Sequence, residues 1–436
     1  MGIGGKDIGY IVLNRYIKIR ENRNGYSLYN IKEKKKFHLN KSGFFLLEKF
    51  LNKRIEEIRT LPYFLKFQQF LKELISNNIV SISRNLGIPI KIFPADYPFW
   101  VEWLITAKCT HNYNCLHCCY SNLKSLKEIE DSKTVAKKLL EFGLYNIIIS
   151  GGEPLIRKEL SEIIQIFIEN VIRVQVDTAG WKNGKIIKKI PNDELVTIQV
   201  SLDGAPAKTH NILRRKEDSF NEAVRTIKSL IKERYRVKVS TVLTTLNVYE
   251  LEDMYNFLLG LNVRRWIIAP LRPFGNGLTN YKRLHPPIQS QLESIKKAIR
   301  ANNELSNPMR IDIPYIIDNY KKLSKDFNIN NFDCGSDRGN RGIHLLPDGN
   351  LVGCIYLLKE TSIGNILKEN PSQVIKRLKN LDLWRIRIED LPLCKECKFV
   401  SFCQGGCRAV ALSLSGSLLG CDQQSKEIYK WLDENE

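Results

Sequence analysis

Four of the chain's eleven cysteines fall in one short run, Trp103 to Tyr120 (WLITAKCTHNYNCLHCCY). Cys109, Cys115 and Cys118 are spaced C-x5-C-x2-C immediately after the apolar stretch Phe99–Thr106, so they belong to a loop leaving a buried strand. Three thiols on one loop can form a zinc half-site, a disulfide set or an iron–sulfur site. A cubane cluster with only three protein thiolates keeps one iron open to another ligand. Farther on, Gly151-Gly152-Glu153-Pro154 joins two residues that let a ligand approach the backbone to a carboxylate that can accept from an ammonium. The same four residues also make an ordinary turn. Ser201 and Asp203, two apart, share one face of a strand. Arg214, or Arg215 beside it, offers a planar fork suited to a carboxylate. The remaining seven cysteines all follow residue 333: Cys334, Cys354, Cys394-x2-Cys397-x5-Cys403-x3-Cys407 and Cys421. A C-x2-C pair such as Cys394/Cys397 also occurs in zinc ribbons.

The elements that must carry these residues alternate from Phe99 to about Pro270. Strands are expected at 99–106, 146–150, 173–177, 195–202, 236–243 and 265–269. Helices are expected at 132–142, 160–168, near Lys185, 220–233 and 251–259. Six βα-type units imply an α/β fold with a parallel sheet and helices outside it. Right-handed crossovers curl such a sheet into a partial (β/α)6 barrel of the TIM type, with chemistry at the carboxyl ends of its strands. The thiol loop, Gly151–Glu153 and Ser201–Asp203 all fall at such ends. IHLLPDGNLVGC, between Cys334 and Cys354, reads as a hairpin turning at Asp348-Gly349. Before the barrel, β-rich stretches at 10–19 and 26–31 flank the turn Glu21–Gly25. A helix capped by Asn40 or Ser42 follows, with Phe44, Leu46, Leu47 and Phe50 on its apolar side. A second helix, 64–77, and a strand, 79–83, complete a small winged-helix-like module. Residues 88–98, with three prolines, read as a linker.

On these residues the chain resembles the radical S-adenosylmethionine (SAM) superfamily, whose usual motif is C-x3-C-x2-C after the first barrel strand. Two departures stand out: the first gap is five, with His111 where a three-residue gap would begin, and Cys118 is doubled by Cys119 before Tyr120. The resemblance implies that Cys109, Cys115 and Cys118 hold a [4Fe–4S] cluster, with Cys118 rather than Cys119 as third ligand. It implies that Glu153, with Gly151 and Gly152, binds the amino group of SAM. Ser201 and Asp203 would contact its sugar or methionyl part, and Arg214 its carboxylate; Asp177–Gly180 stands where relatives often have Thr-Asn-Gly. The seven late cysteines are similar to the SPASM pattern of auxiliary iron–sulfur domains. That likeness assigns Cys394, Cys397, Cys403 and Cys421 to an outer cluster and Cys334, Cys354 and Cys407 to an inner one. No cysteine between Asp326 and Asp333 supplies the usual fourth inner thiolate, which leaves an open iron, an oxygen ligand such as Asp333, or fewer irons.

HLNKSGFFLLEKFL and FLKELISNNIVS resemble the PqqD-like domains that hold the leader of a ribosomally made precursor peptide along a strand edge. The expected division is therefore 1–90 for peptide recognition, 99–305 for the radical SAM core and 306–436 for a cysteine-rich iron–sulfur domain. The implied function is reductive cleavage of SAM to a 5′-deoxyadenosyl radical, which abstracts hydrogen and crosslinks or oxidises a peptide. The partners are a precursor peptide or protein and a reducing electron donor. A maturase of a protein side chain or small-molecule cofactor is the first rival. A plain iron–sulfur electron carrier and a basic winged-helix nucleic-acid binder are further ones; a carrier needs no SAM site.

Composition bounds these readings. A length of 436 residues accommodates two or three domains, and no apolar run reaches the 18–20 or so residues of a membrane span. The N-terminal residues lack an apolar signal core, so a cytoplasmic protein with reduced thiols is expected, and an odd cysteine count argues against full disulfide pairing. Net charge is +20. Residues 1–90 hold 17 Lys/Arg against 7 Asp/Glu, a basic surface that attracts an acidic peptide, nucleic acid or anionic membrane.

Overall fold

The computed structural model describes residues 10–59, 64–87, 91–94, 97–180, 187, 189–306, 308–313, 342–403 and 405–435. One compact unit runs to Tyr97 and takes in Glu169–Arg173; the other comprises Pro98–Ile168 and Val174 onward. Among the described residues no helix is long and apolar enough to cross a membrane.

In the first unit β1 (Tyr10–Leu13) pairs with β5 (Val80–Ser83) as an antiparallel ribbon. The strands β2 (Ile17–Asn22), β3 (Gly25–Asn30), β4 (Lys35–Asn40) and β6 (Ile92–Pro94) form a sheet in the order β4-β3-β2-β6. The stretch read as a linker therefore contributes a strand: β6 lies parallel to β2, and the Pro94 carbonyl accepts from the buried Arg20 guanidinium at 3.1 Å. Asn40 caps helix Lys41–Phe50, its Oδ1 accepting from Gly43 N at 2.7 Å. Phe44, Leu47 and Phe50 turn inward from that helix. Leu46, expected on the same side, is 38% exposed, because its neighbours already fill the stripe facing the sheet.

The second unit is a partial barrel. Its sheet runs β13 (Arg310–Asp312), β12 (Arg265–Pro270), β11 (Val237–Leu243), β10 (Val196–Ser201), β9 (Arg173–Thr178), β8 (Asn146–Gly151), β7 (Trp100–Thr106), β14 (Gly342–Leu345), β15 (Asn350–Val352) and β16 (Ser362–Asn365). All six expected strands are present: β7 (Trp100–Thr106), β8 (Asn146–Gly151), β9 (Arg173–Thr178), β10 (Val196–Ser201), β11 (Val237–Leu243) and β12 (Arg265–Pro270). A further parallel strand, β13 (Arg310–Asp312), extends one edge. Helices Ser132–Leu140, Leu160–Glu169, Ser219–Lys232 and Leu251–Gly260 match the expected ones within a few residues; the one expected near Lys185 lies outside the described residues except at Ile187. Strand alternation sorts the two faces. Ile147, Ile149, Val174, Val176, Ile198, Val200 and Val239 are buried under the helices. Glu102, Ser150, Gln175, Asp177, Gln199, Ser201 and Lys238 lie on the opposite, inner face.

The expected hairpin forms from β14 (Gly342–Leu345) and β15 (Asn350–Val352), with Gly349 at φ 85° in its turn, followed by β16 (Ser362–Asn365). Its placement could not be read from the sequence. β14 lies parallel to β7, Gly342 opposite Trp100 and His344 opposite Glu102, so residues from 342 continue the barrel's own sheet. A Cβ at residue 342 would stand 2.0 Å from the Trp100 ring, which requires glycine there.

Candidate active site

The thiol loop begins where β7 ends and is held by four neighbours. First, Glu128 gathers its opening residues: Oε1 accepts from Thr106 Oγ1 at 2.6 Å, Ala107 N at 2.7 Å and Lys108 N at 3.1 Å. Second, the Gly-Gly-Glu segment is bonded to it, Gly152 N donating to Thr106 O at 2.8 Å and Glu153 N to Lys108 O at 2.9 Å. A Cβ on residue 152 would meet Lys108 O at 2.0 Å, so that glycine is needed for the loop's own backbone. Third, helix Ala207–Arg214 ends against the loop: Leu116 N donates to Leu213 O at 2.8 Å, and Cys115 Sγ to Arg214 O at 3.6 Å. Fourth, Asn276 Nδ2 donates to Tyr113 O at 2.7 Å and Cys115 O at 3.0 Å, while its backbone N donates to Cys118 O at 2.9 Å. Asn280 Nδ2 adds a bond to Leu116 O at 3.0 Å.

These clamps set three thiols on one loop at the carboxyl end of the barrel. Cys115 is buried, and burial pushes its thiol up to about 11. Burial also raises Cys118, with further contributions from Cys119, Cys115 and Cys109; the three loop thiols are thus electrostatic neighbours. Among the described residues no three or more His, Cys, Asp or Glu side chains are gathered at single-metal distances. Soft, mutually close thiols of one loop fit an iron–sulfur cluster, whose metal would displace the thiol protons. Cys119 has further partners of its own: its Sγ accepts from Tyr356 OH at 3.9 Å, and Glu102 and Arg272 are its charged neighbours. His111 is buried with its Nε2 unpartnered, and burial lowers it to about 3.

Glu153 is enclosed. Its Oε1 accepts from Leu155 N at 3.1 Å and Thr178 Oγ1 at 2.7 Å, and its Oε2 from Ala179 N at 2.9 Å. All three donors are neutral, and burial raises the carboxyl above its ordinary value. A carboxylate so placed is stabilised by an added ammonium, which is the amino group SAM would bring. Thr178 and Ala179 thus orient Glu153.

Asp203 and Arg214 are found on each other. Arg214 Nε and Nη2 both donate to Asp203 Oδ2 at 2.6 Å. Asp203 is fully buried, its Oδ1 accepts from Val242 N at 2.9 Å, and its backbone N donates to His210 Nδ1 at 3.0 Å. Burial opposes its ionisation, but Arg214, His117 and His210 hold the carboxyl down at about 2. A carboxylate this enclosed has its acceptor sites engaged by the protein. Arg215 is exposed, with a left-handed backbone at φ 49°. Ser201 ends β10 opposite Ser240 on the inner face.

In the C-terminal segment, Cys394, Cys397, Cys403 and Cys421 act on one another electrostatically. Burial pushes Cys403 up to about 12, with Asp422, Cys421 and Cys394 adding to the rise, and burial likewise raises Cys394 and Cys421. Cys354 and Cys407 pack against one apolar cluster built on Leu357, Leu383 and Ala409. The buried Asp422 joins the two sets, accepting from Cys407 N at 2.8 Å next to Cys421. Cys334 and Asp333 lie outside the described residues.

Sequence reasoning missed Glu128, His117, Asn276 and Asn280. Only the Pro-Phe-Gly-Asn-Gly run after β12 marked a turn there; nothing in it signalled a clamp on a loop 160 or so residues earlier.

Residues 103–258 match the family model described as the Radical SAM superfamily. The chain is 25% identical over 350 residues to mycofactocin maturase MftC of Mycolicibacterium smegmatis, covering 76% of this chain and 83% of that one. It is likewise 25% identical over 325 residues to the antilisterial bacteriocin subtilosin biosynthesis protein AlbA of Bacillus subtilis, covering 71% and 67%. Its fold is similar to Streptococcus suis SuiB bound to precursor peptide SuiA, with a TM-score of 0.69 at 15% identity over 94% of this chain and 98% of that one. The chain thus contains, over residues 103–258, a domain similar to those of the Radical SAM superfamily.

Proposed function

We propose that this protein cleaves SAM reductively and uses the resulting radical chemistry to modify a ribosomally made peptide. The observation that carries the reading is the joining of three parts at the strand ends: the clamped thiol loop, the buried Glu153 and the Asp203–Arg214 pair. A [4Fe–4S] cluster with SAM supplies, when bound, a carbon-centred radical able to abstract hydrogen. Cys109, Cys115 and Cys118 would hold the cluster, and Glu153 the ammonium of SAM. Arg214 would hold the SAM carboxylate through the nitrogen that Asp203 leaves unengaged, so Asp203 acts on Arg214 rather than on SAM. Ser201 would face the sugar. The inner face of the barrel excludes bulk water from the reacting carbon.

The peptide as substrate is supported by MftC, AlbA and SuiB, whose names place them in maturation, bacteriocin biosynthesis and precursor-peptide binding. It is supported also by the basic N-terminal unit. Auxiliary clusters on the C-terminal cysteines, a separate reducing donor and a cytoplasmic location complete the proposal, with 1–90, 99–305 and 306–436 as its functional divisions. Co-expression with each short open reading frame flanking its gene, followed by mass spectrometry of the peptides, tests it. One peptide should lose hydrogen mass only when the intact enzyme is present. Robust SAM cleavage with every such peptide unchanged would overturn the substrate assignment.

A further inference from the structure

Glu102 stands on the inner face of β7, where three elements meet. Its Oε1 accepts from Tyr120 OH at 2.9 Å, directly after the thiol loop, and from Ser150 Oγ at 2.8 Å, directly before Gly151. Its Oε2 lies 3.0 Å from Nδ1 of His344, the residue opposite it on β14. Both the Glu102 and His344 side chains are 13% exposed, and the His344 ring stands edge-on to Trp100 at 5.5 Å. None of the four residues clamps the thiol loop or holds Glu153, Asp203 or Arg214.

The arrangement fixes a proton. Burial opposes ionisation of Glu102, but bonds from His344, Ser150 and Tyr120 hold its carboxyl below the ordinary range. An ionised carboxylate only accepts, so His344 must carry a hydrogen on Nδ1, and in the ring's neutral form Nε2 keeps a lone pair. Tyr120 and Ser150 already spend their hydrogens on Glu102. Of the groups in this network, Nε2 alone can take up a proton without breaking a bond to Glu102.

We propose that His344 Nε2, oriented by Glu102, accepts the proton that the peptide releases during its modification. The inference rests on the peptide reading above. When a substrate C–H gives up a hydrogen atom, the nucleoside leaves as 5′-deoxyadenosine and a carbon radical remains on the peptide. If that carbon then bonds to a neighbouring X–H group or forms a double bond, one proton and one electron must depart. The proton passes to Nε2. The electron requires a one-electron acceptor, chemistry that an iron–sulfur cluster held by this chain's cysteines would supply, and the imidazolium formed is stabilised by the adjacent carboxylate. On the same inner face Asp177 lies within electrostatic reach of Glu102, and its Oδ1 already accepts from Gln175 Nε2 at 2.6 Å.

The test uses the full-length, cluster-loaded protein and the peptide whose mass the wild type changes on co-expression. The quantity read is modified peptide formed per 5′-deoxyadenosine. For His344→Ala this ratio should fall by about 10²-fold, the usual worth of a positioned base, and added imidazole should restore part of it. His344→Gln should show the same fall without rescue. Independently of turnover, long-range ¹H–¹⁵N spectra of ¹⁵N-histidine-labelled protein should show His344 as the Nδ1–H tautomer, a state lost in Glu102→Gln. A wild-type ratio in both His344 variants would overturn the proposal. So would a parallel collapse of 5′-deoxyadenosine and product, which marks a structural network, or an Nε2–H tautomer in the wild type. A wild type that cleaves SAM but changes no peptide fails the substrate reading itself, and the proposal falls with it.

Discussion

Cys118 and Cys119 differ in what surrounds them, although the chain makes them neighbours. Cys118 shares an electrostatic environment with Cys115 and Cys109, and its carbonyl is held by Asn276, whereas Cys119 meets Tyr356. In a protein lacking the C-terminal cysteines, Cys118→Ala should abolish iron incorporation and SAM cleavage, and Cys119→Ala should retain most of both. The reverse result moves the third ligand to Cys119. The thiols and Glu153 were legible because their types and spacing carry chemistry. The Asp203–Arg214 pair was not: an acid and a base eleven apart reveal their union only when the helix Ala207–Arg214 folds back. His210 is a second residue of that kind. Buried to 1%, it accepts the Asp203 N–H on Nδ1, and burial lowers it to about 3. An unfolded histidine titrates near 6.5, so the unfolded chain binds the extra proton first as pH falls. Stability from this group is complete above about pH 6.5 and is lost progressively below it, at about 1.4 kcal/mol per unit. Urea unfolding at pH 7 and pH 5 should differ by about 2 kcal/mol less in His210→Asn, which keeps an acceptor but cannot titrate. An unchanged difference would remove His210 from the pH dependence.

Elements turn these residues into a site by holding the thiol loop's main chain from several sides, with side chains and neighbouring backbone alike. The apolar alternation of β7 to β12 and the helices between them could be read directly, since each strand buries one face beneath a helix. β14 could not, because four residues of a hairpin arm say nothing of a parallel partner some 240 residues earlier. Nor could the reason for the second glycine. Gly152 was read as room for a ligand, yet its neighbour is the Lys108 carbonyl, 2.0 Å from where a Cβ would stand. Gly152→Ala should therefore push the start of the thiol loop away from β8. The expected result is a folded protein with a far-UV spectrum like the wild type but iron content well below it after reconstitution. Gly260→Ala supplies the comparison, since nothing lies within 4 Å of that position at the end of helix Leu251–Gly260. It should keep full iron and gain about 0.5–1 kcal/mol from reduced backbone freedom. Normal iron in Gly152→Ala would mean the loop tolerates displacement.

For the whole molecule, charge and division into units bear on how a substrate is captured. Half of the net charge of +20 falls in residues 1–90, and the unit they help form has its own core around Ile19, Leu28, Phe44, Leu47 and Leu71. Helix caps and apolar spacing made that module legible; the entry of residues 92–94 into its sheet was hidden by the prolines at 89, 94 and 98, which mark a linker as readily as an edge strand. At the opposite edge of the sheet, β4 pairs only with β3 among the described residues and exposes Lys35 and Lys36 beside Lys34. An edge strand offers unpaired main-chain groups to an extended peptide, and clustered lysines favour one that is acidic. Such attraction between exposed charges weakens as the Debye length shortens, from about 10 Å at 0.1 M salt to about 3 Å at 1 M. Binding of the peptide that the wild type modifies should therefore loosen steadily with salt. In the full-length protein, replacing Lys34, Lys35 and Lys36 together with glutamate should weaken binding at least tenfold at low salt and flatten the salt dependence, while peptide-free SAM cleavage continues. Fluorescence anisotropy with a labelled peptide measures both. Equal affinity in the triple variant would move capture away from β4, and tighter binding of duplex DNA than of the peptide would turn this surface into a nucleic-acid site.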